Sequence, residues 1–277
     1  MNGTNLFSLA LETYNRLLPE LREKIKTEVQ PQWMSRSNIN LALLSDVLER
    51  YQPLPFQTIL IGDCQDGLPF LLDLNQPANG SLLVTGDPAC GKTRQLQVMV
   101  ESALQLYTPR QVQVAAITSR KADWESILET QERLRYCHAL TPWYDREVTD
   151  LVMNLASLAE DRRNGRRRGA QVLLVIDDLS KIMDMDYEVQ VNLHWLIESG
   201  PQSGIWPLVS LEASQSQEMK YWVDAFRTRL LGHIDSPTLS NDLAIYEGNR
   251  CSQLSPSTEF TVWMGNEWII YDLPVLG

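Results

Sequence analysis

A glycine-rich stretch at residues 81–96, SLLVTGDPACGKTRQL, has the residue types and spacing of a loop that binds phosphate. Gly86 and Gly91 let the chain turn without a Cβ clash, so that successive backbone N–H groups point at a bound anion. The helix that follows directs its positive end at the same anion. Lys92 then reaches the β- and γ-phosphates of a nucleotide, and the Thr93 hydroxyl takes one position on Mg²⁺. The pattern predicts a site for ATP and Mg²⁺ formed by Gly86, Asp87, Pro88, Ala89, Cys90, Gly91, Lys92, Thr93 and Arg94.

Two adjacent acidic residues, Asp177 and Asp178, follow the apolar run at 172–176. Five apolar residues in a row are typical of a strand buried on both faces of a parallel sheet, and ligands bind at the carboxyl ends of such strands. We therefore expect Asp177 to hold Mg²⁺, usually through water, and Asp178 to act in catalysis by polarising the attacking water. Two acids at this place could instead cap the helix that follows.

Apolar runs of strand length alternate with helical patterns along most of the chain. A short strand before the glycine-rich stretch and a helix at 96–106 after it favour a phosphate loop over a glycine-rich turn with an incidental lysine. The other predicted elements are strands at 112–117, 172–178, 206–211 and 230–234, helices at 124–134, 148–163, 185–197 and 222–229, and β-hairpins around Asp66-Gly67 and Gly265-Asn266. This order predicts an α/β fold with a mainly parallel central sheet and a C-terminal β-hairpin.

The first 50 residues carry leucines at helical spacing, and Pro31 separates two predicted helices, of which the second begins near Ser37. Pro53 and Pro55 mark a linker. We therefore expect an N-terminal helical segment at residues 1–50 and a main domain at residues 57–277. The segment either packs as a cap on the main domain or contacts an oligomer or protein partner.

The acidic composition limits the kinds of partner. The chain has 277 residues, with 35 acidic and 24 basic side chains and a formal net charge of −11. This balance argues against a protein that coats nucleic acid over its whole surface, but it does not exclude a local basic groove. The four cysteines are scattered, which favours a reduced, cytoplasmic chain. We expect neither a signal peptide nor a membrane span, because no apolar run approaches about 18 residues.

Five stretches together resemble the motor domain of the FtsK/SpoIIIE DNA translocases, in the FtsK–HerA group of P-loop ATPases. They are ILIGDCQDGLPFLLDLNQPANGSLLVTGDPACGKT, HALTPWYDREVTDLVMNLASLAEDRR, VLLVIDDLSKIM, SGIWPLVSLEAS and TRLLGHIDSPTLSNDLA, within residues 57–275. The resemblance implies a RecA-like P-loop NTPase fold, ATP hydrolysis and a hexameric ring with the nucleotide between subunits. It also implies a catalytic arginine supplied by the neighbouring subunit, for which Arg229 matches best and Arg227 is a near neighbour.

Three positions depart from the pattern of that family. Asp178 stands where the family has glutamate, so this carboxylate is one methylene shorter. Leu211-Glu212 replaces a Thr-Gln pair, which places a carboxylate at a position that senses phosphate. Thr118–Lys121 replaces Asp-Pro-Lys. We also expect neither the winged-helix domain nor the membrane-spanning part of larger family members.

Two classes of function follow from these features. The first is an ATP-driven ring that moves or remodels double-stranded DNA, with the Arg162–Arg168 run and Arg120-Lys121 as candidate DNA contacts. The second is a nucleotide-binding scaffold or regulatory subunit that hydrolyses ATP slowly or not at all, or a related motor that moves polypeptide. The net charge, Asp178 and Glu212 favour the second class, and the intact phosphate loop permits both.

Overall fold

The computed structural model describes residues 42–277, and the elements are numbered along that range. The strands are β1 (Thr58–Cys64), β2 (Pro69–Asp73), β3 (Leu82–Gly86), β4 (Val112–Thr118), β5 (Cys137–Pro142), β6 (Gln171–Asp177), β7 (Ile205–Glu212), β8 (Thr228–Leu231), β9 (Glu259–Trp263) and β10 (Trp268–Asp272). The α-helices are α1 (Leu44–Arg50), α2 (Lys92–Leu106), α3 (Ala122–Leu128), α4 (Glu147–Arg163), α5 (Tyr187–Ser199), α6 (Lys220–Val223) and α7 (Pro237–Ala244). Short 3₁₀ helices lie at Pro77–Asn79, Leu179–Asp184, Gly200–Ser203, Ala213–Gln215 and Cys251–Gln253.

All ten strands belong to one sheet, in the order β2-β1-β10-β9-β8-β3-β7-β6-β4-β5. The strands from β8 to β5 in this order are parallel, with β3 between β8 and β7. The remaining four are antiparallel, and they include both predicted hairpins, β1–β2 and β9–β10. The predicted α/β fold with a mainly parallel central sheet and a C-terminal hairpin is confirmed.

The strand β6 shows why its sequence is continuously apolar. Val172, Leu174 and Ile176 belong to the hydrophobic cluster on one face of the sheet, and Leu173 and Val175 belong to the cluster on the other. Successive side chains of a strand point to opposite faces, so a strand covered on both sides must be apolar at every position. Helices α4 and α5 cover the first face, and α2 and α3 cover the second.

The described part of the N-terminal segment packs against the sheet. Helix α1 buries Leu44, Val47 and Leu48 with Leu60 of β1 and Val98 of α2. The helix begins at Leu44 and not near Ser37, because Ala42 is not helical and Leu43 is extended and bridges to Val275. The first predicted helix and residues up to 41 lie outside the described residues. The division at 1–50 and 57–277 stays a prediction.

Two predicted helices were wrong in extent. The helix predicted at 124–134 ends at Leu128, because the next four residues are polar and exposed and give it no apolar face to bury. The helix predicted at 222–229 is only the short α6, and Arg229 lies in β8 beside Leu83 of β3. Strand β8 therefore begins two residues before the predicted strand.

Strand β5 and helix α7 were not predicted. The strand carries half-exposed side chains at an edge of the sheet, so its sequence lacks the apolar run of the central strands. The helix has Ser236 as an N-cap, which accepts a hydrogen bond from the Leu239 N–H, and Pro237 in its first turn. None of the helices within residues 42–277 has the length and apolar character needed to cross a membrane.

Candidate nucleotide-binding site

The phosphate loop connects the end of β3 to the start of α2, as the sequence predicts. Gly91 has φ 98°, and a Cβ there would lie 2.9 Å from the Cα of Ser257. A Cβ on Gly86 would lie 2.5 Å from the Sγ of Cys90. Both glycines of the motif are thus required by close approach, and Gly91 also by its left-handed backbone.

Lys92 lies across this loop. Its ammonium donates hydrogen bonds to the carbonyl oxygens of Gly86, at 3.0 Å, and Asp87, at 2.9 Å. The lysine charge is therefore held at the mouth of the loop, where the phosphates of a nucleotide would meet it.

The predicted metal ligands lie side by side. The hydroxyl of Thr93, at the start of α2, donates to the carboxylate of Asp177 with oxygen–oxygen distances of 3.0 and 3.2 Å. Asp177 is buried at the carboxyl end of β6, in register with Thr118 of β4. A hydroxyl and a carboxylate at this separation are oxygen ligands that suit Mg²⁺.

Two further side chains that the sequence analysis missed orient Asp177. Ser210, near the carboxyl end of β7, donates to its Oδ1 at 2.7 Å, and the indole N–H of Trp124 donates to its Oδ2 at 3.4 Å. Ser210 could have been found, because it is a polar residue in the apolar run at 205–211. Nothing in the sequence near Trp124 indicates this contact.

Asp178 has a different environment from its neighbour. Its two carboxylate oxygens accept from the backbone N–H of Ser180, at 2.9 Å, and from the Ser180 hydroxyl, at 3.0 Å. Asp178 thereby caps the 3₁₀ helix that follows β6. Burial raises the pKa of this carboxyl, and the nearby charge of Asp177 acts in the same direction. The capping interpretation describes this contact, and the role of Asp178 in catalysis stays a prediction.

Glu212 ends β7 directly beside Gly86 of the phosphate loop. Its carboxylate accepts from the Ser214 hydroxyl at 2.6 Å. A negative charge is therefore fixed at the edge of the sheet where the loop begins.

The arginines proposed for the site face other parts of their own chain. The side chain of Arg229 is only 8% exposed, and its guanidinium donates to the carbonyl oxygens of Leu243 and Val223, each at 3.0 Å. Arg94 donates to the carbonyl oxygens of Ser257 and Pro274. These contacts tie α6, α7 and the C-terminal segment to the core.

The two basic segments lie at opposite ends of the parallel strands. The Arg162–Arg168 run precedes β6, at the strand end remote from Asp177, and Arg162 donates to three backbone carbonyls. Arg166 pairs with Asp161. The pair Arg120-Lys121 follows β4, at the same end of the parallel strands as the phosphate loop. Ion pairs with Asp123 and Glu129 partly neutralise it.

Comparisons with known proteins agree with this architecture. Residues 75–200 match a family model described as an AAA domain. The phosphate loop and the sheet define a P-loop NTPase fold. No match to a curated protein was found.

Solved structures of P-loop ATPases have similar folds. EccC (ATPases 2 and 3) of Thermomonospora curvata, in complex with a signal sequence peptide, is 18% identical with a TM-score of 0.62, over 80% of this chain and 41% of that chain. EssC (ATPases 2 and 3) from Geobacillus thermodenitrificans is 12% identical with a TM-score of 0.64, over 80% of this chain and 45% of that chain. The pCW3 conjugation coupling protein TcpA, in its monomer form with ATPγS, is 12% identical with a TM-score of 0.62, over 96% of this chain and 82% of that chain. This chain thus spans less than half of the EccC and EssC chains, and the likeness is one of fold.

Proposed function

We propose that this chain binds ATP with Mg²⁺ and hydrolyses it within a ring of subunits that moves or remodels double-stranded DNA. The main support for a nucleotide site is the contact of Thr93 with Asp177 beside the ammonium of Lys92. In this site Lys92 contacts the phosphates, Thr93 and Asp177 hold Mg²⁺, and Asp178 orients the attacking water. When bound, the metal ion supplies positive charge to the phosphate oxygens.

The binding step is tested by the affinity of a labelled ATP analogue, with and without Mg²⁺. We expect binding that requires Mg²⁺ and is lost in Lys92→Ala. A native mass measured with nucleotide then tests the hexameric ring, which rests on the family resemblance. A monomer at every nucleotide concentration would contradict the ring.

A weakly hydrolysing scaffold is the second candidate, and two contacts favour it. Asp178 is engaged by Ser180, and Glu212 places a negative charge beside the phosphate loop. ATP turnover with and without double-stranded DNA separates the two candidates. Stimulation by DNA supports the motor, and binding without turnover supports the scaffold.

A polypeptide is the alternative cargo. The EccC structure contains a signal sequence peptide. In this chain several basic candidates for DNA contact already bond to carbonyls or carboxylates. A DNA-binding titration at two salt concentrations, with ATP present, tests the choice: DNA binding weakens with salt by a log–log slope of about −0.9 per phosphate neutralised. An assembled ring that binds no DNA at low salt would remove the DNA motor and leave the scaffold or the polypeptide motor.

We place the protein in the cytoplasm, with residues 1–50 as a contact for a protein partner or a neighbouring subunit.

A further inference from the structure

The segment after β8 crosses the start of the phosphate loop and is bonded to it. The backbone N–H of Asp87 donates to the carbonyl oxygen of His233 at 2.9 Å. In return, the backbone N–H of Asp235 donates to the Oδ2 of Asp87 at 2.8 Å. The carboxylate of Asp87 is therefore directed at residues 233–235.

Three potential metal ligands meet at this crossing. One ligand atom each from Asp87, His233 and Asp235 lies within 4.8 Å of the others. The imidazole Nε2 of His233 is 2.9 Å from the Oδ1 of Asp235. The His233 side chain is 19% exposed and that of Asp235 is 87% exposed, so the cluster is open to solvent on one side.

The second ring nitrogen of His233 determines what Nε2 can do. Nδ1 lies 2.8 Å from the carbonyl oxygen of Leu254, which can only accept, so Nδ1 carries a hydrogen. In the neutral ring Nε2 is then an acceptor that faces a carboxylate oxygen. Two acceptors 2.9 Å apart are held together by a positive charge between them, which is either a proton on Nε2 or a metal ion. A histidine whose other nitrogen donates to a backbone carbonyl is also the usual arrangement of a metal-bound histidine.

We propose that Asp87, His233 and Asp235 bind one divalent transition-metal ion, with water in the open positions. One imidazole and two carboxylates are ligands that suit Zn²⁺, Mn²⁺ or Co²⁺. A proton on His233 would satisfy Asp235 alone, whereas a divalent ion balances both carboxylates. This site is separate from the one at Thr93 and Asp177 and does not depend on ATP hydrolysis.

The ion has a consequence for the phosphate loop. Asp87 is a loop residue, and an unbalanced carboxylate there opposes the approach of a triphosphate. A bound divalent ion removes that opposition. We therefore expect the metal to increase nucleotide affinity while being held by residues outside the phosphate loop as well as by Asp87.

The test is a titration of Co²⁺ into the full chain, freed of metal and nucleotide, with Zn²⁺ as the competitor. The visible spectrum of bound Co²⁺ reports its ligands. An Asp177→Asn background removes the carboxylate of the other site. In that background we expect one ion per chain, and binding at least about tenfold weaker in His233→Ala and in Asp235→Asn.

Two matched control variants test for non-specific binding of Co²⁺ elsewhere on the protein. His138→Ala removes an exposed histidine beside half-buried Cys137, and Asp224→Asn removes a half-exposed carboxylate elsewhere. Both should bind Co²⁺ as their parent does. Asp235→Asn keeps the backbone N–H that bonds to Asp87, and its side chain is exposed, so this variant is expected to fold even if His233→Ala does not.

Failure to bind Co²⁺ and Zn²⁺, or equal binding in Asp235→Asn and its parent, would overturn the site and leave a protonated His233 paired with Asp235. The effect on the loop is tested in the otherwise wild-type chain by the affinity of a labelled ATP analogue, with and without Zn²⁺. An increase in ATP-analogue affinity on addition of Zn²⁺, which Asp235→Asn abolishes, supports this effect of the metal. Unchanged affinity with the metal bound refutes that consequence, and this outcome is distinct from a chain that binds no nucleotide at all.

Discussion

Replacing Arg229 with alanine tests whether this residue stabilises its own subunit or acts on the nucleotide of a neighbour. In the structure the guanidinium donates two hydrogen bonds of 3.0 Å to the carbonyl oxygens of Leu243 and Val223. A hydrogen bond that involves a charged group contributes about 1.5–3 kcal/mol, and two on one side chain are not additive. We therefore expect Arg229→Ala to lower the free energy of unfolding by about 2–4 kcal/mol.

For a chain of this size that loss lowers Tm by roughly 5–15 °C. The assay is thermal unfolding without nucleotide, together with ATP turnover over a range of protein concentrations. Arg227→Ala is the matched control: its side chain is exposed, and the expected change is within about 0.5 kcal/mol. If Arg229→Ala melts like the parent but loses turnover at high protein concentration, the arginine acts between subunits and the stabilising role is refuted.

Three further substitutions test the nucleotide site. Lys92→Ala should weaken binding of a labelled ATP analogue by at least about tenfold, because it removes a charged donor from the phosphates, and wild-type affinity would refute the site. Asp178→Glu should raise turnover, since misplacement of water by about 1 Å can cost on the order of 10²-fold; an Asp178→Asn variant as fast as the parent would show that this carboxylate is not catalytic. Ser210→Ala removes the 2.7 Å hydrogen bond to Asp177. The Mg²⁺ concentration needed for half-maximal ATP binding should therefore rise by about tenfold. Exposed Ser45→Ala is its control, and an equal change in both would contradict the role of Ser210.

The sequence predicts the parts of the fold whose signal is local. The glycine spacing of the phosphate loop and the continuous apolar run before Asp177 each follow from one element and its environment. The contact of Thr93 with Asp177 also follows, because the carboxyl ends of parallel strands meet at one edge of a sheet. The predictions of the loop and of the strand need no knowledge of which distant residue packs against which.

The parts that could not be predicted depend on contacts between distant residues. Arg229 has the sequence context of a helix end, and only the pairing of β8 with β3 places it in a strand. Trp124 reaches Asp177 across 53 residues of sequence. His233 and Asp235 have no metal-binding spacing of their own, since their third partner is Asp87, almost 150 residues away. At Arg229 tertiary packing overrides local propensity, and at the other positions the contacts join residues that are far apart in sequence.

Glu212 offers the sharpest test of whether charge beside the phosphate loop limits nucleotide binding. The Cα of Glu212 is paired in register with Gly86, so its carboxylate ends β7 next to the loop. A charge roughly 8 Å from a phosphate charge costs about 0.5 kcal/mol in a water-like medium and about 2 kcal/mol at an effective dielectric of 20. Glu212→Gln removes that charge and keeps an oxygen that can accept from Ser214.

We therefore expect Glu212→Gln to increase ATP affinity by roughly 2- to 30-fold at low salt. The gain should shrink as salt rises, because the screening length falls to about 10 Å at 0.1 M. Glu188→Gln, an exposed residue in the first turn of α5, controls for the change in net charge. Equal affinity of Glu212→Gln and the parent at low salt would show that the carboxylate does not oppose the nucleotide.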